Sequence, residues 1–275
     1  MQARIRAVRP PSSLPSDRDF FRTDREQPKP QTETLLPVDR TSWNGTPIEN
    51  RFLLRISAGE FESLRPLLAY ESFPQHATLQ EQEEDLESIH FLNRGLVSVL
   101  VATKNGKTVE VGTVGNEGVV GTPAILGMAK SPNRAVVQVA GNGFRVRIAG
   151  LQNVLSANPE LLGSLNRYGA IQGMSATQLA ACNRLHGVEQ RLSRWLLVMR
   201  DRTNQISLSI THESLASVLG TDRPSVSLAA GGLQRKGAIE YRRGAVMIVN
   251  HELLEQSSCE CYAVLRHTNK LMDVT

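Results

Sequence analysis

Residues 210–239 read Ile-Thr-His-Glu-Ser-Leu-Ala-Ser-Val-Leu-Gly-Thr-Asp-Arg-Pro-Ser-Val-Ser-Leu-Ala-Ala-Gly-Gly-Leu-Gln-Arg-Lys-Gly-Ala-Ile, and this stretch decides the fold of the C-terminal part of the chain. Thr211 can cap a helix, because a hydroxyl there accepts from the free amides of the first turn. Glu213 adds an acid where the helix dipole favours one. Leu215, Val218 and Leu219 then share one face. Ala216, Gly220 and Val226 have the spacing of a helix-turn-helix: a small residue where two helices cross, a turn residue, and an apolar residue buried between them. Asp222 is placed to cap the second helix, whose first turn carries Arg223, Pro224, Ser225 and Ser227. In a recognition helix that end enters the major groove. Arginine suits bidentate contact with guanine O6 and N7, and serine hydroxyls donate to bases or phosphates.

Gly237 ends this helix, and residues 239–241 and 246–249 form a hairpin around Arg242-Arg243-Gly244. A small wing tipped with arginines suits a phosphate backbone, as do Arg235 and Lys236 at the far end of the helix. The candidate DNA-contacting residues are therefore Thr211, Thr221, Asp222, Arg223, Pro224, Ser225, Ser227, Arg235, Lys236, Arg242 and Arg243. The charge of the segment agrees. Residues 184–244 hold ten basic residues (Arg184, Arg191, Arg194, Arg200, Arg202, Arg223, Arg235, Lys236, Arg242, Arg243) against five acids (Glu189, Asp201, Glu213, Asp222, Glu240). That excess of five exceeds the +4 of the whole 275-residue chain, which predicts a phosphate-facing surface.

Upstream, the apolar period changes. Residues 89–92, 96–101, 107–114, 135–139 and 144–148 read as strands, with Phe144, Val146 and Ile148 alternating with Arg145 and Arg147. Turn signals stand at 93–95, Asn105-Gly106, 115–118 and 141–143, which predicts a compact antiparallel barrel or sandwich. Residues 50–70 read as a helical entry broken at Ser57-Ala58-Gly59. Residues 151–185 read as a long helix with the stripe Leu161, Leu165, Tyr168, Ile171, Met174, Leu179, Cys182. Gly163, Gly169 and Gly173 remove side chains, so a partner helix can approach closely; the alternative is that the stripe only packs on its own barrel. A further helix runs from Val188 to about Asp201 with Leu192, Trp195, Leu196 and Met199 inward.

The composition, 40% hydrophobic and 21% charged, is that of a folded chain. Residues 1–47 hold seven of the 13 prolines and read as a disordered extension. No apolar run spans a membrane and no secretory signal is visible, so a cytoplasmic location is expected. The three cysteines, Cys182, Cys259 and Cys261, read as inert thiols in a reducing compartment, with a redox role as the alternative. Cys259-Glu260-Cys261 alone supplies too few ligands for zinc, and the six histidines show no metal-site spacing, so no metal is expected. No catalytic constellation stands out, so neither an enzyme nor a cofactor is expected.

With the strands, long helix and winged unit in place, residues 50–262 resemble the Crp/Fnr family of bacterial transcription regulators. The resemblance rests on residues 89–99 (Ile-His-Phe-Leu-Asn-Arg-Gly-Leu-Val-Ser-Val), on residues 115–121, and on residues 210–239. It implies an α+β fold: an N-terminal antiparallel β-roll of cyclic-nucleotide-binding type, a long dimerisation helix and a C-terminal winged helix-turn-helix. The corresponding boundaries are a Pro-rich extension at 1–47, a sensor domain at 48–150, the dimerisation helix at 151–186, the DNA-binding domain at 187–262 and a C-terminal tail at 263–275. The resemblance also implies a homodimer reading a roughly palindromic site in double-stranded DNA, and contacts to RNA polymerase.

The departures concern specificity. The family's cyclic-nucleotide binders carry a Gly-Glu pair for the ribose, whereas Gly121 is followed here by Thr122-Pro123. Arg134 stands near the phosphate position without a neighbouring hydroxyl, and reads equally as a solvated strand residue. Gly121, Thr122 and Arg134 are thus the candidate pocket for an unassigned effector, with cyclic AMP not expected. No cysteine precedes Cys182 in this sequence, so the family's N-terminal iron–sulfur sensor is not expected. Arg223 keeps the family's arginine, while Pro224 and Leu228 replace a glutamate and a second arginine. The competing reading is a small-molecule sensor whose helix-turn-helix serves protein contacts.

Overall fold

The computed structural model describes residues 40–242 and 244–271, so the expected 1–47 extension lies outside the described residues except for 40–47. Asn50 opens the first helix, α1 (Arg51–Arg55), with its side chain accepting from the Leu53 amide. Ser57 and Glu60 form a reciprocal capping box on α2 (Ala58–Leu64), so the break expected at 57–59 is a helix start. A 3-10 turn at Arg65–Leu67 then leads into the sheet.

The strands are β1 (Ala69–Phe73), β2 (Thr78–Gln80), β3 (Ser88–Ala102), β4 (Thr108–Val114), β5 (Val119–Val120) and, after the short helix α3 (Thr122–Ile125), β6 (Arg134–Arg147). They pair in the order β1-β6-β3-β4, with β2 on β6 and β5 on β3, and every pairing is antiparallel. Two expected turns are bulges instead. Residues 93–95 and 141–143 do not reverse the chain; they are bulges that bend β3 and β6 as one long pair, where the register shifts between Leu92 and Leu96. The glycines permit this crossing: a Cβ on Gly141 would collide with the Arg94 carbonyl oxygen. Asn105-Gly106 is a true reversal, with φ of +79° at Gly106.

Inside the roll, Phe73, Leu92, Val97, Val114, Val120, Ala135 and Val137 form one core. A second core seats α1 and α2 with α4 (Ile148–Ala157) and α5 (Pro159–Leu185) against Phe91, Phe144 and Val146. The expected 151–185 helix is thus two, divided at Asn158, with Pro159 at the first position of α5 where its missing N–H costs nothing. Leu161, Leu165, Tyr168, Ile171, Leu179 and Cys182 of the expected stripe are buried, whereas Met174 is 54% exposed.

The third core is built on α6 (Val188–Thr203). Leu192, Trp195, Leu196 and Met199 face inward as expected. Around it lie β7 (Ser207–Ser209), α7 (His212–Leu219), α8 (Arg223–Arg235), β8 (Ile239–Arg242), β9 (Ala245–Ile248) and α9 (His251–Gln256). The sheet order is β7-β9-β8. The segment expected as a tail from 263 is helical: α10 (Cys261–Leu271) packs on α5 and α6. Its apolar face, with Tyr262 buried, had no visible partner in the local sequence. Among the described residues, no helix is long and apolar enough to cross a membrane.

Candidate nucleic-acid interface

Each part of the helix-turn-helix has a local cause. Thr211 caps α7 by accepting from the Ser214 amide at 3.1 Å. Ala216 is buried where α7 meets α8, and Val226 is fully buried between them. Gly220 takes the left-handed conformation (φ +60°) and ends α7, after which the Thr221 amide donates to the Ala216 carbonyl at 3.0 Å. Asp222 then starts α8, its carboxylate accepting from the Ser225 amide at 2.8 Å. That backbone hydrogen bond, first among the causes, holds its carboxyl below the usual range.

The first turns of α8 leave Arg223, Pro224, Ser227 and Leu228 exposed, with Ser225 half-buried at their edge. Leu228 is 74% exposed, an apolar side chain on an otherwise open face. The Ser227 hydroxyl is not idle. It hydrogen-bonds His212 Nδ1 at 2.9 Å, and the His212 ring lies 4.2 Å from that of Tyr241. Burial first, and then the charge of Arg223, lower the His212 pKa. The Tyr241 hydroxyl in turn donates to the Ile210 carbonyl at 2.6 Å, tying the wing to the start of α7. Sequence reading missed His212 and Tyr241, because they meet only when β8 folds back beside α7.

The wing places Arg242 80% exposed, with its guanidinium 3.0 Å from the Glu240 carboxylate. Arg243 lies outside the described residues. Arg235 and Lys236 are exposed at the end of α8, and Lys236 pairs with Glu189 at 2.5 Å.

The expected basic surface is smaller than the charge count suggests. Arg191 and Arg194 are buried, and Arg191 donates to the Leu219 carbonyl at 2.9 Å, bracing the end of α7. Arg202 turns toward the β-roll, bonding Thr113 and lying 3.4 Å from the buried Glu117 carboxylate. Trp195 Nε1 reaches the buried Glu110 carboxyl at 3.2 Å, which Ser98 also contacts at 2.5 Å. Burial raises the Glu110 pKa. Arg191 thus ties α6 to α7 and Arg202 ties it to strand β4, rather than either facing a phosphate.

Between β4, β5, α5, α6 and α10 lies a cavity of about 530 Å³. Gly121 and Thr122 line it. Thr122 opens α3 and donates its hydroxyl to Gln172 on α5 at 2.9 Å. Arg134 is not among the lining residues; its guanidinium lies 3.0 Å from Glu81 and bonds Thr78. Outside this lining, Gly118 is held to glycine because a Cβ there would collide with the Tyr168 hydroxyl.

A β-roll joined by a long helix to a winged helix-turn-helix defines a DNA-binding transcription regulator. Residues 70–158 match the cyclic nucleotide-binding domain and residues 190–257 the Crp-like helix-turn-helix domain. The chain belongs to the Crp/Fnr family of transcription regulators. Among solved structures, it is similar to a Crp/Fnr-family regulator described as putative from Eubacterium rectale, with TM-score 0.62, 13% identity and coverage of 73% of this chain and 94% of that one. It is also similar to the c-di-GMP-responsive global regulator CLP of Xanthomonas campestris (TM-score 0.60, 16% identity, 70% and 100% covered). A Crp-family regulator of Thermus thermophilus is similar as well (TM-score 0.58, 22% identity, 68% and 96% covered). No match was found among curated proteins.

Proposed function

We propose that the chain acts as a homodimer that reads a roughly palindromic DNA site through the first turns of α8. The observation that carries this reading is the capped, outward-facing end of that helix, with Arg223 exposed and its backbone fixed by Asp222, Val226 and Gly220. Arg223 is the base-reading residue, and Leu228 offers an apolar contact of the kind that suits a thymine methyl. Ser225 assists, while Ser227 acts under the hold of His212. Thr211, Thr221, Arg235, Lys236, Arg242 and Arg243 serve as phosphate contacts and supports. RNA polymerase is the proposed protein partner, as in the family.

Two copies meet along α5, whose exposed face carries Ala170, Gly173, Met174, Thr177 and Ala181. Residues 48–150 form the sensor, 151–186 the dimer helix and 187–262 the reader. The cavity is where an effector would act, because its walls come from the roll, the dimer helix and the reader together. Its chemistry differs from a cyclic-AMP pocket in lacking a ribose carboxylate after Gly121 and in tying Arg134 to Glu81.

The test is selection from a random duplex pool, repeated with Arg223→Ala. Wild type is expected to enrich a two-fold motif, and the variant to lose about 1–3 kcal/mol of discrimination at one base step per half-site. Arg242→Ala should weaken all sequences alike and reduce the salt dependence by about one contact. A pool without enrichment, or an Arg223→Ala motif identical to that of wild type, would remove the reading.

A further inference from the structure

Cys259 and Cys261, too few for a metal in sequence, acquire two neighbours in the fold. Cys182 on the last turn of α5 and His186, its extended C-cap residue, stand four residues apart. Their ligand atoms and those of Cys259 and Cys261 all lie within 4.8 Å of one another. We propose that Cys182, His186, Cys259 and Cys261 form a closed Cys3His site for a single zinc-class divalent ion.

The distances favour one ion over a cluster. Zinc–sulfur bonds of about 2.3 Å place tetrahedral ligands about 3.8 Å apart. Cys182 Sγ is 3.5 Å from Cys259 Sγ, and Cys261 Sγ is 3.6 Å from His186 Nδ1. A multi-iron cluster needs its cysteine sulfurs spread around the outside of several irons, which this spacing does not allow.

The surroundings have the form of a second coordination shell. His186 presents Nδ1 to the cysteines, while its Nε2 lies 3.1 Å from the Glu260 carboxylate. A carboxylate on the outer nitrogen fixes the tautomer and strengthens the inner nitrogen as a ligand. Gln178 Nε2 donates to Cys261 Sγ at 3.0 Å, the kind of contact that orients a thiolate. Three thiolates around a dication leave one net negative charge. The buried Arg194, whose Nε has no hydrogen-bond partner among the described residues, supplies a positive charge near Cys182.

The cysteines are buried and the His186 side chain is 14% exposed, so four protein ligands close the ion off from substrate. The role is structural. The ion pins α10 to the end of α5, next to Gly187, where the chain enters the DNA-reading half. Binding releases the thiol protons to solvent and changes no oxidation state.

The test uses the full-length chain, stripped by a chelator under reducing conditions and titrated with Co2+, then Zn2+. The expected result is one cobalt per chain, with thiolate-to-cobalt charge transfer and tetrahedral d–d bands, displaced by one equivalent of zinc. Glu260→Gln, an exposed change, is expected to weaken zinc affinity by about 10–100-fold with the spectrum retained. Cys259→Ser should abolish the wild-type spectrum. The proposal is overturned if the reduced wild-type chain shows no thiolate–cobalt band, or if Cys259→Ser binds cobalt as tightly as wild type. It is overturned equally by a chain that purifies with a Cys182–Cys259 disulfide and takes up no metal after reduction.

Discussion

His90 lies on β3 inside the β-roll, paired with Val120 on β5 and Arg145 on β6, and its Nδ1 has no hydrogen-bond partner among the described residues. Burial, and then the charge of Arg145, push its pKa down from 6.5 to about 4. The native state therefore holds it neutral where the unfolded chain protonates it. Its contribution is fully present above pH 6.5 and is lost as pH falls toward 4, a swing of order 3 kcal/mol for a shift of this size. Urea unfolding at pH 7 and pH 5 should show His90→Gln losing less stability over that interval than wild type; equal losses would show that His90 does not titrate as described. Residue types of this kind were legible in the sequence, but their directions were not. Residues 184–244 do carry a local basic excess, ten basic residues against five acids. Arg191, Arg194 and Arg202 nonetheless point into the protein: the Leu219 carbonyl at the end of α7 holds Arg191, the Glu110 carboxyl on β4 interacts with Arg194, and the Thr113 carbonyl and Glu117 carboxylate hold Arg202. Charge counts report how many cations a segment carries, whereas tertiary packing decides which of them meet solvent.

At the scale of elements, the helix-turn-helix was readable because its rules are local: caps, a left-handed glycine and small residues at a crossing. The bulges at 93–95 and 141–143 were read as turns for a related reason. Gly and Asn supply the same backbone freedom to a reversal and to a bend, and only pairing between β3 and β6 separates the two. The helix α10 was missed because its partners, α5 and α6, lie far upstream. Gly220 combines local and distant constraints. Its φ of +60° disfavours any side chain, and a Cβ would lie 2.8 Å from Val109 Cγ2 on β4. Gly220→Ala is expected to cost about 1–2 kcal/mol from the backbone conformation alone, plus the clash. Adding Val109→Ala should recover only the clash. Denaturant midpoints of the two variants check this, and a Gly220→Ala protein as stable as wild type would contradict the docking of the turn on β4.

For the whole molecule, the proposed assembly places its demands on the exposed face of α5. Gly173 is open there, with nothing within 4 Å of where a Cβ would stand, and Met174 beside it is 54% exposed. Within one chain, Gly173→Glu therefore meets no obstacle and raises helix propensity by several tenths of a kcal/mol to about 1 kcal/mol. In a dimer, the same change places two carboxylates in a closely packed seam without a cation to pair them, a costly burial. The substitution thus separates folding from association. Light scattering should report a monomer whose thermal stability, measured at matched dilution, is not reduced by loss of α5 itself. DNA binding then follows from linkage: a dimer engages its second half-site at an effective concentration set by its own geometry, worth roughly 10²–10⁴ in affinity. Gly173→Glu should lose a factor of that order on a full palindrome and little on an isolated half-site. A variant that remains dimeric would move the seam elsewhere on the molecule. A monomer that keeps full affinity for the palindrome would show that one copy reads the site alone.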